Sequence, residues 1–253
     1  MKITFLGTGT SQGIPVISCK CAVCSSEDLR DKRLRVSILV ETDTETFTID
    51  CGPDFRYQML RENVQDLDAI VFTHEHKDHV AGLDDIRPYN YLLNKHIDIY
   101  AVPRVQAALQ REFAYIFADS GYFGLPKVKL HDISDEPFFV GKTKLIPIEV
   151  MHHLLPVLGY RIGDFTYITD AKTIDQTSID KIKGTKILVV NALQRREHIS
   201  HFTLAEAIDF AEKIGAEKTY FTHMSHHMGL HKEVETELPK GIFFAYDGLK
   251  ITL

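Results

Sequence analysis

The stretch VFTHEHKDHVAGL, residues 71–83, sets three histidines and an aspartate into six positions directly behind an apolar run. Imidazole and carboxylate are the usual ligands of divalent metals, so His74, His76, Asp78 and His79 point to a metal site rather than to a solvated polar turn. A chance H-x-H-x-D-H is improbable. His74 and His76, two residues apart beyond a strand, can turn toward one ion. Asp78 and His79, further round the same turn, can face a second. Four groups do not complete two coordination spheres, so more ligands are expected from other strand ends. IEVMHHLLPVLGY, FTYITDA and KTYFTHMSHH offer them.

A second cluster lies in CKCAVC, which holds three of the four cysteines. They are too close in sequence for an ordinary disulfide framework. In a reducing compartment such a cluster more often binds metal, the alternatives being a chance loop or a redox pair. Cys51 follows Asp50 at a strand end and reads as a buried small hydrophobe. Asp50 itself is either an outer partner that orients a ligand imidazole or an ordinary turn aspartate before Gly52-Pro53. Gly7, Gly9 and Gly13 make no phosphate cradle on their own, because no G-x-x-x-x-G-K-[ST] is present.

The elements that must position these groups are short. KITFLG, RVSILVET, TFTID, AIVFTH, DIYAV, KLIPIEV, GYRIG, FTYITD, KILVVNA and KTYFTH read as strands from their β-branched and aromatic content, and IFFAYDGLKITL as the last. TLAEAIDFAEKIG is the clearest helix. Thr203 and Glu206 make a capping box, Gly215 suits the stop, and Leu204, Ala207, Ile208, Ala211 and Ile214 form the apolar stripe. RVQAALQREFAYIF is a second helix. Strands with interspersed helices, in a pattern that recurs loosely in the second half, indicate layered α/β architecture. No linker, repeat or low-complexity tract divides the chain, so residues 1–253 are expected to form one domain.

Composition bounds the partners. With 44% hydrophobic and 25% charged residues among 253, the chain is ordinary globular material. Its net charge of −6, with no lysine or arginine block, argues against a nucleic-acid partner but not against a small phosphorylated one. The first apolar run is too short for a signal peptide and no run approaches bilayer length, so a cytoplasmic location and no membrane are expected.

THEHKDH, the histidine before GYRIG, the aspartate of YITDA and the histidine of YFTHMSHH together resemble the metallo-β-lactamase superfamily of binuclear metallohydrolases. FLGTGTSQGIP and TIDCGPD match as well, so the resemblance spans nearly the whole chain. It implies an αββα sandwich of two packed sheets flanked by helices, with two divalent ions, zinc or manganese, at one sheet edge. The first ion would be held by His74, His76 and His153, the second by Asp78, His79 and His223, with Asp170 between them. His153, six residues before Gly159, has the family's spacing; His152 is then left as an outer or surface residue.

GTGTSQGIPVISCKCAVC further resembles the phosphoribosyl 1,2-cyclic phosphodiesterase branch of phosphonate degradation, whose members carry a structural zinc on three cysteines and a histidine. Here those would be Cys19, Cys21, Cys24 and His226, with His227 as the alternative fourth ligand. His201, 22 residues before His223, has the spacing of a non-ligand catalytic histidine in these phosphodiesterases and in the tRNA 3′-processing endonucleases. Without the resemblance a structural role would be as reasonable. Asp78 would both ligate metal and help orient a hydroxide held between the ions.

The implied activity is cleavage of a small cyclic or nucleotide-like phosphodiester, with homodimers common among such relatives. The rival readings are tRNA 3′-end processing, hydrolysis of a lactam, lactone or thioester on the same ion pair, and a non-catalytic accessory role like that of the pyrroloquinoline quinone assembly protein. DDIRPYNYLLNK and ADSGYFGLP are candidate pocket walls, although Arg87, Tyr89 and Tyr91 read better as packing residues. His96, His131 and His231 have no motif around them and read as surface or packing residues.

Overall fold

The computed structural model describes residues 1–118 and 124–253. The ADSGYFGLP wall therefore lies largely outside the described residues. The first six strands are β1 (Lys2–Gly7), β2 (Ser37–Glu41), β3 (Thr46–Ile49), β4 (Ala69–Val71), β5 (Ile97–Ala101) and β6 (Val128–Asp132). There follow β7 (Phe138–Val140), β8 (Thr143–His152), β9 (Leu155–Ile162), β10 (Phe165–Tyr167), β11 (Ile187–Asn191), β12 (Lys218–Thr222), β13 (Ile242–Phe244) and β14 (Lys250–Thr252).

They form two seven-stranded sheets, ordered β14-β1-β2-β3-β4-β5-β6 and β13-β12-β11-β10-β9-β8-β7. In the first, β14 through β3 pair antiparallel and β3 through β6 parallel. In the second, β10 through β13 are parallel and β7 through β10 antiparallel. The halves thus repeat one plan, the recurrence that the sequence pattern suggested.

Side-chain alternation explains the layering, because successive residues of a strand point to opposite faces. Ile38 and Val40 of β2, and Ala69 and Val71 of β4, pack between the sheets against Tyr160, Phe165 and Val189. Their neighbours Leu39 and Ile70 face outward, where Phe55, Met59, Ile86 and Leu109 cover them. On the other sheet Val189 faces inward while Leu188 and Val190 pack under Ala207, Phe210 and Ala211. Strands covered on both faces read as unbroken apolar runs, which is why KILVVNA and AIVFTH were recognisable. The result is helix, sheet, sheet, helix: the expected αββα sandwich.

Three local readings differ from the structure. IFFAYDGLKITL is two strands, β13 and β14, which lie in different sheets; the AYDG turn between them crosses the sandwich. RVQAALQREFAYIF breaks at Phe113 (φ −115°, ψ 41°) into helices Pro103–Glu112 and Ala114–Phe117. β6 and β7 do not show in the sequence pattern, because VKLHD and FFV are too short and too polar or isolated.

Helix Leu204–Ile214 follows the capping-box expectation. Thr203 Oγ1 accepts from Glu206 N at 3.2 Å and Glu206 Oε2 accepts from Thr203 N at 2.8 Å. Gly215 closes the helix at φ +68°, a left-handed turn that suits glycine. Among the described residues no helix is long and apolar enough to cross a membrane. Thr203→Ala is expected to lower stability by about 1 kcal/mol, read as a reduced urea midpoint at unchanged slope.

Candidate metal centre

The parallel strands of both sheets end on one edge of the sandwich, and the loops leaving those ends carry the polar cluster. His74 follows β4, Asp170 follows β10, His223 follows β12, and His152 ends β8. A cross-sheet clamp fixes the alignment: Tyr160 Oη donates to Phe72 O at 2.6 Å, and Leu158 N donates to Thr73 O. Gly52 is required where the TIDCGPD turn crosses the HKDH helix, since a Cβ there would stand 2.2 Å from Asp78 O.

Donor atoms converge in overlapping groups, each within 4.8 Å: His74, His79 and Asp170; Asp78, His79 and His223; and His152, Asp170 and His201. Asp170 therefore lies between the groups. Its Oδ2 is 3.3 Å from His79 Nε2 and its Oδ1 3.3 Å from His223 Nε2. His76 sits at the solvent side, its ring centroid 4.6 Å from that of His74 and 5.2 Å from that of His152.

The choice of His153 is corrected. His153 is exposed, while the His152 ring reaches the cluster, 4.5 Å from the His201 ring. The reason is hairpin geometry. β8 and β9 pair as far as His152↔Leu155, which leaves His153 and Leu154 as the two-residue turn, with His153 at φ +56°. His152 continues the buried face of Ile148 and Val150 by the period of two. That alternation in IEVMHH was the signal that motif spacing obscured. His152 Nδ1 donates to Ser200 O at 2.9 Å, leaving Nε2 for the cluster.

Asp50 does what an outer partner should. Its buried carboxylate accepts from His79 Nδ1 at 2.7 Å, from Thr73 N at 2.9 Å and from Thr73 Oγ1 at 2.9 Å. Because the Thr73 proton goes to Asp50, Thr73 Oγ1 accepts from His74 Nδ1 at 3.0 Å. Both imidazoles are thereby held with Nδ1 protonated and Nε2 turned inward. Thr169 Oγ1 donates to Asp170 Oδ2 at 2.6 Å, and Asn191 bonds both backbone groups of Ala171, fixing the Asp170 turn. Nothing local in the sequence marks Thr73, Thr169 or Asn191; Asn191 is only the polar end of ILVVN.

His74 Nε2, His79 Nε2, both His223 ring nitrogens and His201 Nδ1 are buried without a hydrogen-bond partner among the described residues. Buried unpaired nitrogens are costly, and Nε2 of His74, His79 and His223, grouped with the Asp78 and Asp170 carboxylates, suit a cation. The imidazole and carboxylate set fits zinc, manganese or iron. Asp78, Asp170 and Asp50 hold His79 well above its ordinary value against the effect of burial, so Nε2 carries a proton that a cation would displace. Burial raises the Asp78 and Asp170 carboxyls, yet the imidazoles of His79 and His223 overcome it and hold both below the ordinary range. Burial pushes His74 well down, so that ring is neutral, as a ligand must be.

The second site closes from distant segments. Cys19, Cys21 and Cys24 Sγ stand 3.3, 3.5 and 3.5 Å from His226 Nδ1. A tetrahedral ion with bonds of about 2.3 Å to sulfur and 2.0 Å to nitrogen separates such donors by roughly 3.6 Å. His226 is therefore the fourth member, and His227 is exposed. The Cys24 backbone N–H bonds the Cys21 sulfur and brings that thiol down to about 6, whereas burial pushes Cys24 up to about 11.

The remaining expectations resolve as packing. Cys51 is buried among Phe55, Val80 and Leu83. Tyr89 Oη donates to Val64 O, Tyr91 Oη to Gly124 O, and Arg87 pairs with Asp84. His131 stacks on Tyr100 and His96 is exposed. His231 is buried, with Nδ1 accepting from Arg33.

A family model described as a beta-lactamase superfamily domain matches residues 45–224. An octanoyltransferase of Porphyromonas gingivalis is 42% identical over 253 residues, 99% of this chain and 51% of that protein. A ribonuclease Z of Nostoc punctiforme is 27% identical over 168 residues, 65% of this chain and 47% of that protein. The chain thus spans about half the length of the curated relatives it matches. The crystal structure of a new diphosphatase from the PhnP family superposes with TM-score 0.93 at 41% identity, covering 100% of this chain and 97% of that one. Zinc-bound PqqB from Methylobacterium extorquens superposes with TM-score 0.83 at 18% identity over 100% of both chains, a likeness of fold alone.

Three substitutions test the geometry. His152→Ala is expected to lose metal at the cluster while His153→Ala keeps it, as measured by elemental analysis after dialysis. Asp50→Asn, which tolerates the φ of +67° at this position, should weaken metal affinity about 10- to 100-fold in a competitive chelator titration.

Proposed function

The chain belongs to the metallo-β-lactamase superfamily, and on that premise we propose that it is a metal-dependent hydrolase of small phosphodiesters. His74, His76 and His152 would hold one divalent ion, Asp78, His79 and His223 a second, and Asp170 both. Cys19, Cys21, Cys24 and His226 would hold a structural zinc, since four protein ligands leave no open position. When bound, the ion pair lowers the pKa of a water molecule and absorbs negative charge developing on phosphate oxygens.

The observation that carries the phosphodiester reading is the place of His201. Its ring is stacked 4.8 Å from that of His223, with Nδ1 buried 3.8 Å from Asp170 Oδ1. Nε2 is thus the nitrogen left for substrate. Displacement at phosphorus expels an alkoxide opposite the incoming nucleophile, and a donor there assists its departure. Burial pushes His201 down to about 3, so the ring waits neutral until substrate charge arrives. An anionic phosphodiester beside it favours the protonated ring, and the proton can then pass to the alkoxide.

The name of the longer Porphyromonas relative describes a chain about twice this length, so it carries no weight for acyl transfer by the half that aligns. The ribonuclease Z relatives share the core, but the net charge of −6 suits a small substrate better than tRNA.

Purified protein offered bis(p-nitrophenyl) phosphate, a cyclic nucleotide, precursor tRNA, nitrocefin and a thioester should turn over the small phosphodiesters. Turnover confined to the thioester or lactam would contradict the proposal. His201→Ala is expected to lower phosphodiester kcat by about 100-fold or more with metal content retained; loss of metal would make His201 a ligand instead.

A further inference from the structure

The loop between β11 and helix Leu204–Ile214 carries a second histidine that neither metal set uses. Its course is fixed at the far end: Leu193 N donates to Phe202 O, Phe202 N to Ala171 O and Leu204 N to Gln194 O. Within it the half-buried His198 ring lies 5.1 Å from that of His201, at 38°. The Ser200 backbone N–H donates to His198 Nδ1 at 3.3 Å, with Ser200 Oγ 3.2 Å from the same atom. A backbone N–H can only donate, so His198 Nδ1 must be the acceptor and the ring proton sits on Nε2. Among the described residues His198 Nε2 has no hydrogen-bond partner, and His198 belongs to no group able to hold a metal. The next residue, Ile199, is 67% exposed, so the loop is open to solvent beside His198.

A half-buried imidazole with a fixed tautomer and a free N–H, one ring away from the leaving-group donor, is a hydrogen-bond donor awaiting an acceptor. We infer that His198 contacts substrate, donating from Nε2 to a phosphate oxygen next to the point where His201 meets the leaving oxygen. The inference rests on the phosphodiesterase reading and adds a second imidazole to substrate recognition. Its ligand class is an anionic phosphate ester with a non-bridging oxygen on the His201 side.

Wild type, His198→Ala and His198→Gln are compared with bis(p-nitrophenyl) phosphate as substrate and inorganic phosphate as inhibitor, with metal content and Tm measured for each. His198→Ala should raise KM and weaken phosphate inhibition about tenfold, the loss of one hydrogen bond to a charged group, with metal content and Tm kept. His198→Gln, whose amide N–H reaches similarly far, should recover most of that loss. Unchanged KM and inhibition in His198→Ala would overturn the inference. So would a fall in kcat alone without recovery by Gln, which would mean that His198 merely packs His201. If wild type hydrolyses no phosphodiester, the reaction assignment fails separately. Calorimetric binding of inorganic phosphate then decides: a tenfold loss in His198→Ala supports the contact, and retained affinity overturns it.

Discussion

One carboxylate governs the site. Asp50 accepts three hydrogen bonds and through them fixes which nitrogen of His79, and by way of Thr73 of His74, is free. Imidazole is ambiguous until a partner selects its tautomer, and two buried rings with the wrong tautomer would present N–H groups to a cation. Outer hydrogen bonds of this kind determine orientation and basicity together. Asp50 is wholly buried, so its hydrogen bonds are not shared with water. Two other ligands have anchors of their own: Ser200 O for His152 and Thr169 for Asp170.

The sandwich exists, functionally, to bring strand ends together. Asp50, His153, Asp170 and His223 account for four of the seven non-glycine residues with positive φ among those described. Each costs on the order of 1 kcal/mol for an L-residue. They stand where the chain must turn sharply off a strand to aim a side chain, its own or its neighbour's, across the edge. Such strain persists only when surroundings over-determine it. Here the surroundings are the Tyr160–Phe72 clamp and the Asn191 bonds to Ala171. The two candidate metal clusters are also joined through the chain: His223 and His226 are three residues apart, and Thr10 N bonds Met224 O between them.

Much of this is legible in the sequence. The H-x-H-x-D-H run, the cysteine triplet, the buried β runs and the capping box are local signals, and a local signal survives in a sequence. What was lost depends on long-range geometry. His152 and His153 are adjacent and chemically identical, and only the hairpin register separates them. The final strand pair reads as one because nothing in AYDG says that the chain changes sheets. Asp50 could be named as a candidate but not decided, since its partners Thr73 and His79 are more than twenty residues away.

The account stands on convergence of His74, His76, Asp78, His79, His152, Asp170 and His223 on a pair of cations. Anomalous diffraction from crystals grown with manganese tests it most directly. Two peaks within coordinating distance of those seven side chains, with Asp170 touching both, are the expected result. No peak at the cluster, or a single ion held by His153, would contradict it.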